Sequence, residues 1–301
     1  MIRPAKFQFN PETRDSNAFQ SQQALFAASK EQELALAEFE QLSARLSAAG
    51  VRVVVIDDTP EPHTPDSIFP NNWISTHSDG TVFVYPMATA SRRLERRQDV
   101  IELLRDEYQF QVQRLVDLSD LEKEQVYLEG TGSMVLDRIN KIAFAAQSDR
   151  THQAALQRFS ELSGYQLHVF DANGPDGAPI YHTNVLMCIG SAFSVLCLEA
   201  LRDSAQREAL ARTLRKSGRD IVEISLSQMS EFAGNMLELK SSSGEPVLAM
   251  SSRAHASLSD SQRAALAEHC TLVHSPITMI EKLAGGSVRC MLAELHLPPA
   301  N

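Results

Sequence analysis

The sequence predicts an α/β protein built from a recurring structural unit. Two observations carry this. Short β-branched or apolar runs alternate with longer helical stretches along all 301 residues. The order strand, strand, helix, strand also returns about every 55 residues, a spacing found in repeat architectures. Residue-level similarity between the units is weak, so what repeats is the pattern of elements. No low-complexity stretch or linker divides the chain, and 1–301 reads as a single domain.

Each element has its own warrant. Residues 29–49 are rich in Ala, Leu, Glu and Gln and are followed by Gly50, a helix with its stop. Residues 51–56, Val51-Arg52-Val53-Val54-Val55-Ile56, read as a buried strand. The segment 57–72 carries four prolines and is loop. Residues 81–85 predict a strand, 92–108 a helix and 110–115 a strand. The grammar then repeats: strands 134–136 and 142–145, helix 150–162, strand 166–170. It continues with strands 185–189 and 192–198, helix 199–217 and strand 221–224. Strands 236–239 and 247–250, helix 258–269 and strand 271–274 complete a further unit. A last strand is expected over 290–295, paired with something earlier in the chain.

Composition bounds the function. A hydrophobic content of 43% with 22% charged residues is that of an ordinary globular protein. A net charge of −10 argues against nucleic acid as a partner. Cys188, Cys197, Cys270 and Cys290 form no CxxC pair and no zinc-like spacing. No run approaches the roughly 20 apolar residues that span a membrane, and the first ten residues lack a signal-peptide core. The expectation is a cytoplasmic protein with reduced thiols and no membrane partner.

Five runs carry chemistry. In Ala284-Gly285-Gly286-Ser287-Val288-Arg289-Cys290-Met291, two glycines and an arginine precede a cysteine, the side chain closest to a nucleophile at neutral pH. An inert thiol on a terminal strand is the plainer alternative. His182, in Tyr181-His182-Thr183-Asn184-Val185, stands where a loop enters an apolar strand, a place for a catalytic base or for a carbonyl-bonded core histidine. His63, His77, His152, His255 and His269 read mostly as solvated. Glu129, in Leu128-Glu129-Gly130-Thr131-Gly132-Ser133-Met134, precedes closely spaced glycines that would allow close approach to a ligand; taken by itself the run favours a plain turn with a solvated acid. It is not a P-loop, and no Gly-x-Ser-x-Gly elbow occurs. The loop Pro65-Asp66-Ser67-Ile68-Phe69-Pro70-Asn71-Asn72-Trp73 sets an acid and two amides beside the only tryptophan. Arg92 and Arg150 offer bidentate anchors for a carboxylate, although each taken singly suits a solvated helix start.

Taken in order, these runs resemble the guanidino-group modifying superfamily, which includes arginine deiminase, dimethylarginine dimethylaminohydrolase and glycine amidinotransferase. The likeness extends to the bacterial citrulline-utilisation hydrolases through the same runs and through Phe232-Ala233-Gly234-Asn235-Met236-Leu237. The resemblance implies the pentein fold, with five ββαβ units in a pseudo-fivefold propeller around a central active-site channel. It implies Cys290 as nucleophile, His182 as general acid/base and Glu129 as the acid orienting them. Asp66, Arg92 and Arg150 would bind the substrate. No metal or organic cofactor is implied, the partner is a small amino-acid substrate, and a homodimer is left open.

The sequence departs from the deiminases at three positions. Asn72 and Asn184 stand where they carry two aspartates that clamp the guanidinium, and Gly132 replaces a further acid. A buried guanidinium without carboxylates retains a desolvation cost of several kcal/mol, whereas a neutral ureido group needs no counter-charge. The expectation is a cysteine-dependent hydrolase that cleaves the ureido group of citrulline. The alternatives are an arginine deiminase or dimethylarginine hydrolase, an amidinotransferase, and a pentein used only as a binding scaffold.

Overall fold

In the computed structural model, residues 1–14, 17, 19–21 and 23–300 are described. Four three-stranded sheets share one plan, in which the first two strands are antiparallel and the third returns parallel to the second. A parallel return needs a crossover, and a helix supplies it each time. A short parallel pair, β1 (Ile2–Arg3) and β2 (Ile56–Asp57), is connected by the long helix α1 (Ala28–Ala48).

The first three-stranded sheet is β3 (Ile74–Thr76), β4 (Thr81–Val84) and β5 (Arg114–Asp117), with α2 (Ala90–Arg93) and α3 (Gln98–Asp106) in the crossover. The second begins after the one-turn helix α4 (Gly130–Ser133). It contains β6 (Val135–Asp137), β7 (Ile142–Ala146), α5 (Gln153–Ser163) and β8 (Gln166–Phe170). The third is β9 (Met187–Ile189), β10 (Phe193–Leu196), α6 (Ser204–Lys216) and β11 (Asp220–Glu223). The fourth follows α7 (Leu226–Ser230) and comprises β12 (Leu237–Lys240), β13 (Pro246–Ser251), α8 (Ser252–Ser257), α9 (Asp260–Ala267) and β14 (Thr271–Ser275). Helix α10 (Thr278–Ala284) closes the list. The strand–strand–helix–strand grammar is therefore present four times, with a shorter fifth unit lacking the first strand. Among the described residues no helix is long and apolar enough to cross a membrane.

The helices pack by apolar stripes. α1 buries Ala35, Phe39, Leu42 and Leu46, spaced three or four residues apart on one face. Each such Leu or Phe contributes about 1.5–3 kcal/mol on burial.

Several boundaries differ from expectation. The valine run at 51–55 is not a strand: Val51 makes an isolated bridge with Ser241, β2 pairs with β1, and the Val54 carbonyl accepts from the Met1 amine at 2.8 Å. The helix expected over 92–108 is split into α2 and α3, because α2 turns Arg92 and the nearby Glu95 inward as a buried pair. α6 starts at Ser204, where Asp203 caps it through the Gln206 N–H. The strand expected over 290–295 is absent: the Cys290 N–H bonds the Ser287 carbonyl and the Met291 N–H that of Val288, which makes a turn. His77 is not solvated. It is buried against Phe83 and Tyr165, with Ser75 Oγ 3.0 Å from its Nε2.

Candidate active site

Each first strand of the three-stranded sheets is entered from a turn, and these turns meet. Asn72 ends the 3₁₀ turn Pro70–Asn72 before β3. Glu129 precedes α4, which leads into β6. His182 precedes the 3₁₀ turn Thr183–Val185 before β9. Asn235 lies in the turn before β12, and Cys290 in the turn after α10. Hydrogen bonds stitch the turns together. Thr183 Oγ1 donates to the Ser133 carbonyl (2.6 Å), Ser133 Oγ to the Arg150 carbonyl (2.7 Å) and Thr131 Oγ1 to the Asn71 carbonyl (3.3 Å).

Gly132 is required by this crowding. A Cβ there would stand 2.2 Å from Asn72 Nδ2 and 2.8 Å from His182 Nδ1. A side chain at this position would have to displace the Asn72 amide or the His182 ring.

Glu129 is fully buried. Its Oε2 lies 2.8 Å from His182 Nε2, 3.4 Å from Arg150 Nη1 and 3.8 Å from Arg92 Nη1, while Oε1 accepts from the Ala88 N–H at 3.1 Å. Burial disfavours its charge, but Arg150, the His182 hydrogen bond and Arg92 outweigh that and hold the carboxyl well below its usual range. His182 is buried and pushed down to about 4, by burial first and by the two guanidinia, against the pull of Glu129. Near neutral pH it is a neutral imidazole that donates Nε2–H to Glu129, which leaves the Nδ1 lone pair available as a base.

Cys290 is buried, with the side-chain amides of Asn235 and Asn184 at 3.4 and 3.6 Å from Sγ. The guanidinium of the adjacent Arg289 is directed to the Leu292 carbonyl (2.9 Å) and Glu294 (3.0 Å) instead of the thiol.

Asp66, Asn72, Arg92, Arg150, His182 and Cys290 all line one cavity of about 20 Å³, room for about one water. Asp66 Oδ2 accepts from Asn10 Nδ2 at 2.7 Å, and among the described residues its buried Oδ1 has no hydrogen-bond partner. Burial raises the Asp66 carboxyl, against Arg92 and the Asn10 bond. Arg92 differs most from expectation. Its Nε and Nη2 grip Glu95 bidentately at 2.9 Å each, Nη1 donates to Asn72 Oδ1 at 2.9 Å, and Nη2 also reaches the Phe69 carbonyl at 3.4 Å. A fork engaged in this way is not presented to a substrate carboxylate. Arg150 lies over the Tyr181 ring at 5.1 Å.

Four contributors went unnoticed in the sequence. Tyr181 donates to the Gly285 carbonyl at 2.9 Å and lines the cavity; its position next to His182 was the available sign. Glu95 stands one helical turn after Arg92, a spacing that signals an ion pair. Asn235 lay inside a run already singled out, but as an amide in a turn it carried no chemistry of its own. Asn10 gave no sign.

A mixed α/β fold of small sheets, with a cysteine, a histidine and a glutamate gathered on the turns between them, is that of the guanidino-modifying pentein class. Residues 3–297 match the family described as N,N dimethylarginine dimethylhydrolase, eukaryotic, and the chain belongs to it. No curated protein sequence matches.

Similar solved structures include ligand-free ArgZ, a cyanobacterial arginine dihydrolase of the ornithine-ammonia cycle. Its TM-score is 0.73 at 17% identity, covering 100% of this chain and 42% of that one. The present chain thus spans about two fifths of the length of that protein. The N-terminal domain of ArgZ alone, as a cysteine-to-serine variant bound to substrate, scores 0.72 at 17% identity over 97% and 95% of the two chains. A histidine-to-glycine dimethylarginine dimethylaminohydrolase carrying an S-methyl-L-thiocitrulline adduct scores 0.61 at 15% identity over 86% and 88%.

Proposed function

We propose that the protein is a cysteine-dependent hydrolase of the ureido group of citrulline. Its five units would be arranged as a propeller around the channel that holds the cavity. The observation that carries the substrate choice is the orientation of the Asn72 amide. Arg92 has only donors, so the Asn72 atom at 2.9 Å from it is the carbonyl oxygen, and the NH₂ end is turned toward Gly132 and the Glu129 carbonyl. A donor at that point suits a ureido oxygen and opposes a guanidinium N–H.

In the reaction that follows, Cys290 gives its proton to His182 Nδ1 and Sγ attacks the ureido carbon. His182 returns the proton to the departing δ-nitrogen, the C–N bond breaks and ornithine leaves. The thiocarbamate on Cys290 is then hydrolysed by water that His182 deprotonates. The thiol is restored, and carbamate breaks down to ammonia and carbon dioxide. Asn72 and Asn184 stabilise the charge on the oxygen. Glu129 fixes the His182 tautomer and stabilises the imidazolium formed during turnover. Arg150 takes the α-carboxylate, and the unpartnered Asp66 Oδ1 takes the α-ammonium. Arg92 orients Asn72 and does not bind substrate directly.

A guanidino substrate is the second reading, favoured by the family match. Incubation with citrulline, arginine and dimethylarginine side by side separates the two. Ornithine and ammonia from citrulline are expected. A higher specificity constant for release of citrulline from arginine or dimethylarginine would overturn the ureido assignment.

A further inference from the structure

Among the described residues, Cys290 Sγ has hydrogen-bond contacts with the side-chain amides of Asn235 and Asn184. The Arg289 guanidinium is bound to Glu294, and His182 is neutral at rest. Burial alone works against a thiolate: it pushes Cys188, Cys197 and Cys270 up to about 12, 11 and 12.

We propose that the side-chain amide of Asn235, together with that of Asn184, is the donor pair that stabilises the Cys290 thiolate. The inference rests on the reading of Cys290 as nucleophile and adds residues to that site. Asn235 cannot be turned around. Its Oδ1 accepts from the Arg289 N–H at 3.0 Å and its Nδ2 donates to the Asn184 carbonyl at 3.0 Å, so a flipped amide would set oxygen against oxygen and N–H against N–H. Nδ2, with one proton left, lies 3.4 Å from Sγ, closer than the 3.8 Å from the Cys290 thiol to Oδ1. Asn184 Nδ2 reaches the same sulfur at 3.6 Å from a different turn. Hydrogen bonds to the charged form favour ionisation, and the Asn235 amide, held at both ends, offers one to Sγ with the Asn184 amide beside it.

The backbone that presents Asn235 is built for the purpose. Phe232, three residues earlier, is buried with φ +62°, a left-handed conformation that is costly for a bulky side chain. Its carbonyl accepts from the Asn235 N–H at 2.8 Å. A Cβ at Gly234 would stand 2.3 Å from the Val185 carbonyl oxygen, so only glycine lets this turn lie against the backbone next to Asn184. A turn that strained and that close-fitting is held in place by its surroundings, and the side chain it delivers touches the reacting sulfur.

The test is the pH dependence of Cys290 alkylation by iodoacetamide, located by peptide mass mapping, in the wild type, Asn235→Asp, Asn235→Ala and Asn184→Ala. Asn235→Asp keeps the acceptor for the Arg289 N–H and replaces the sulfur-facing donor by oxygen. Removing either donor should raise the apparent thiol pKa by about one unit, a tenfold loss of thiolate on the acidic side. In the wild type, the Asn235 side-chain NH₂ resonances should titrate with the midpoint of alkylation, which needs no variant to fold. Unchanged alkylation profiles in the folded variants, or Asn235 amide resonances indifferent to pH and to alkylation, would overturn the proposal. No substrate is involved: a shifted thiol in a protein inactive on every ureido and guanidino compound would keep this inference and remove the functional one.

Discussion

At the residue scale, the site separates groups that do chemistry from groups that hold them. Cys290→Ser should abolish turnover and leave the unfolding midpoint near the wild-type value, since a serine hydroxyl is a far poorer nucleophile at neutral pH. Iodoacetamide should modify Cys290 ahead of Cys188, Cys197 and Cys270, whose thiols burial pushes up to about 12, 11 and 12. Equal labelling of all four, or activity in the serine variant, would contradict the assignment. His182 sets the acid limit of activity. Its conjugate acid is weakened to about 4, and only the neutral ring can take the thiol proton. The specificity constant should therefore hold constant down through pH 6.5, the ordinary histidine value, and fall as pH drops through about 4. An acid limb between 6 and 7 would show that burial does not weaken the His182 imidazolium to that extent. Arg92 and Arg150 both lie beside Glu129, at 3.8 and 3.4 Å, so truncating either is not a pure binding change.

At the scale of elements, the short turns ahead of the first strands deliver the site, and glycine sets how closely they approach. Gly132 in α4 faces two of the site's own side chains. Gly132→Ala would drive a methyl into Asn72 Nδ2 and His182 Nδ1. Both are side-chain atoms, so the fold can yield by moving them. A loss of about a hundredfold in kcat/KM is expected, as for a reacting group misplaced by about 1 Å, with little change in the urea midpoint. A variant of wild-type activity would show that neither group needs its present position. The split between α2 and α3 belongs to the same scale: the helix breaks where Arg92 and Glu95 turn inward to fix the Asn72 amide.

Across the whole molecule, the units are joined by buried polar staples as well as by apolar packing. Arg219, just before β11, grips Asp137 at the end of β6 through Nη1 (2.8 Å) and Nη2 (3.0 Å), and its Nε donates to the Gly190 carbonyl at 2.7 Å. Asp137 also accepts from the Ile139 and Asn140 N–H groups. This joins the second three-stranded unit to the third. Asp137→Ala leaves a buried guanidinium without its counter-charge and should cost about 3–5 kcal/mol, measured by urea unfolding. A loss below about 1 kcal/mol would place the pair with exposed surface bridges instead.

Most of the element order was open to reading in the sequence. Apolar periodicity and chain punctuation are local, and four strand–strand–helix–strand units followed from them. Glu129 and Cys290 stand out in the sequence beside closely spaced glycines, and His182 where a loop enters an apolar strand, while their joint roles rest on the resemblance. What the sequence left undecided depends on a partner brought from elsewhere in the chain. The valine run at 51–55 and the stretch 290–295 are apolar enough for strands, but a strand needs a continuous ladder; the first finds only an isolated bridge at Val51 and a bond from Met1, and the second folds into a turn. Arg92 looked like a carboxylate anchor because an arginine's task is set by what occupies its fork, here Glu95 and Asn72. Asn235 was unreadable for a related reason. An amide is donor or acceptor according to which end its neighbours hold, and only the folded chain sets the Arg289 N–H and the Asn184 carbonyl around it.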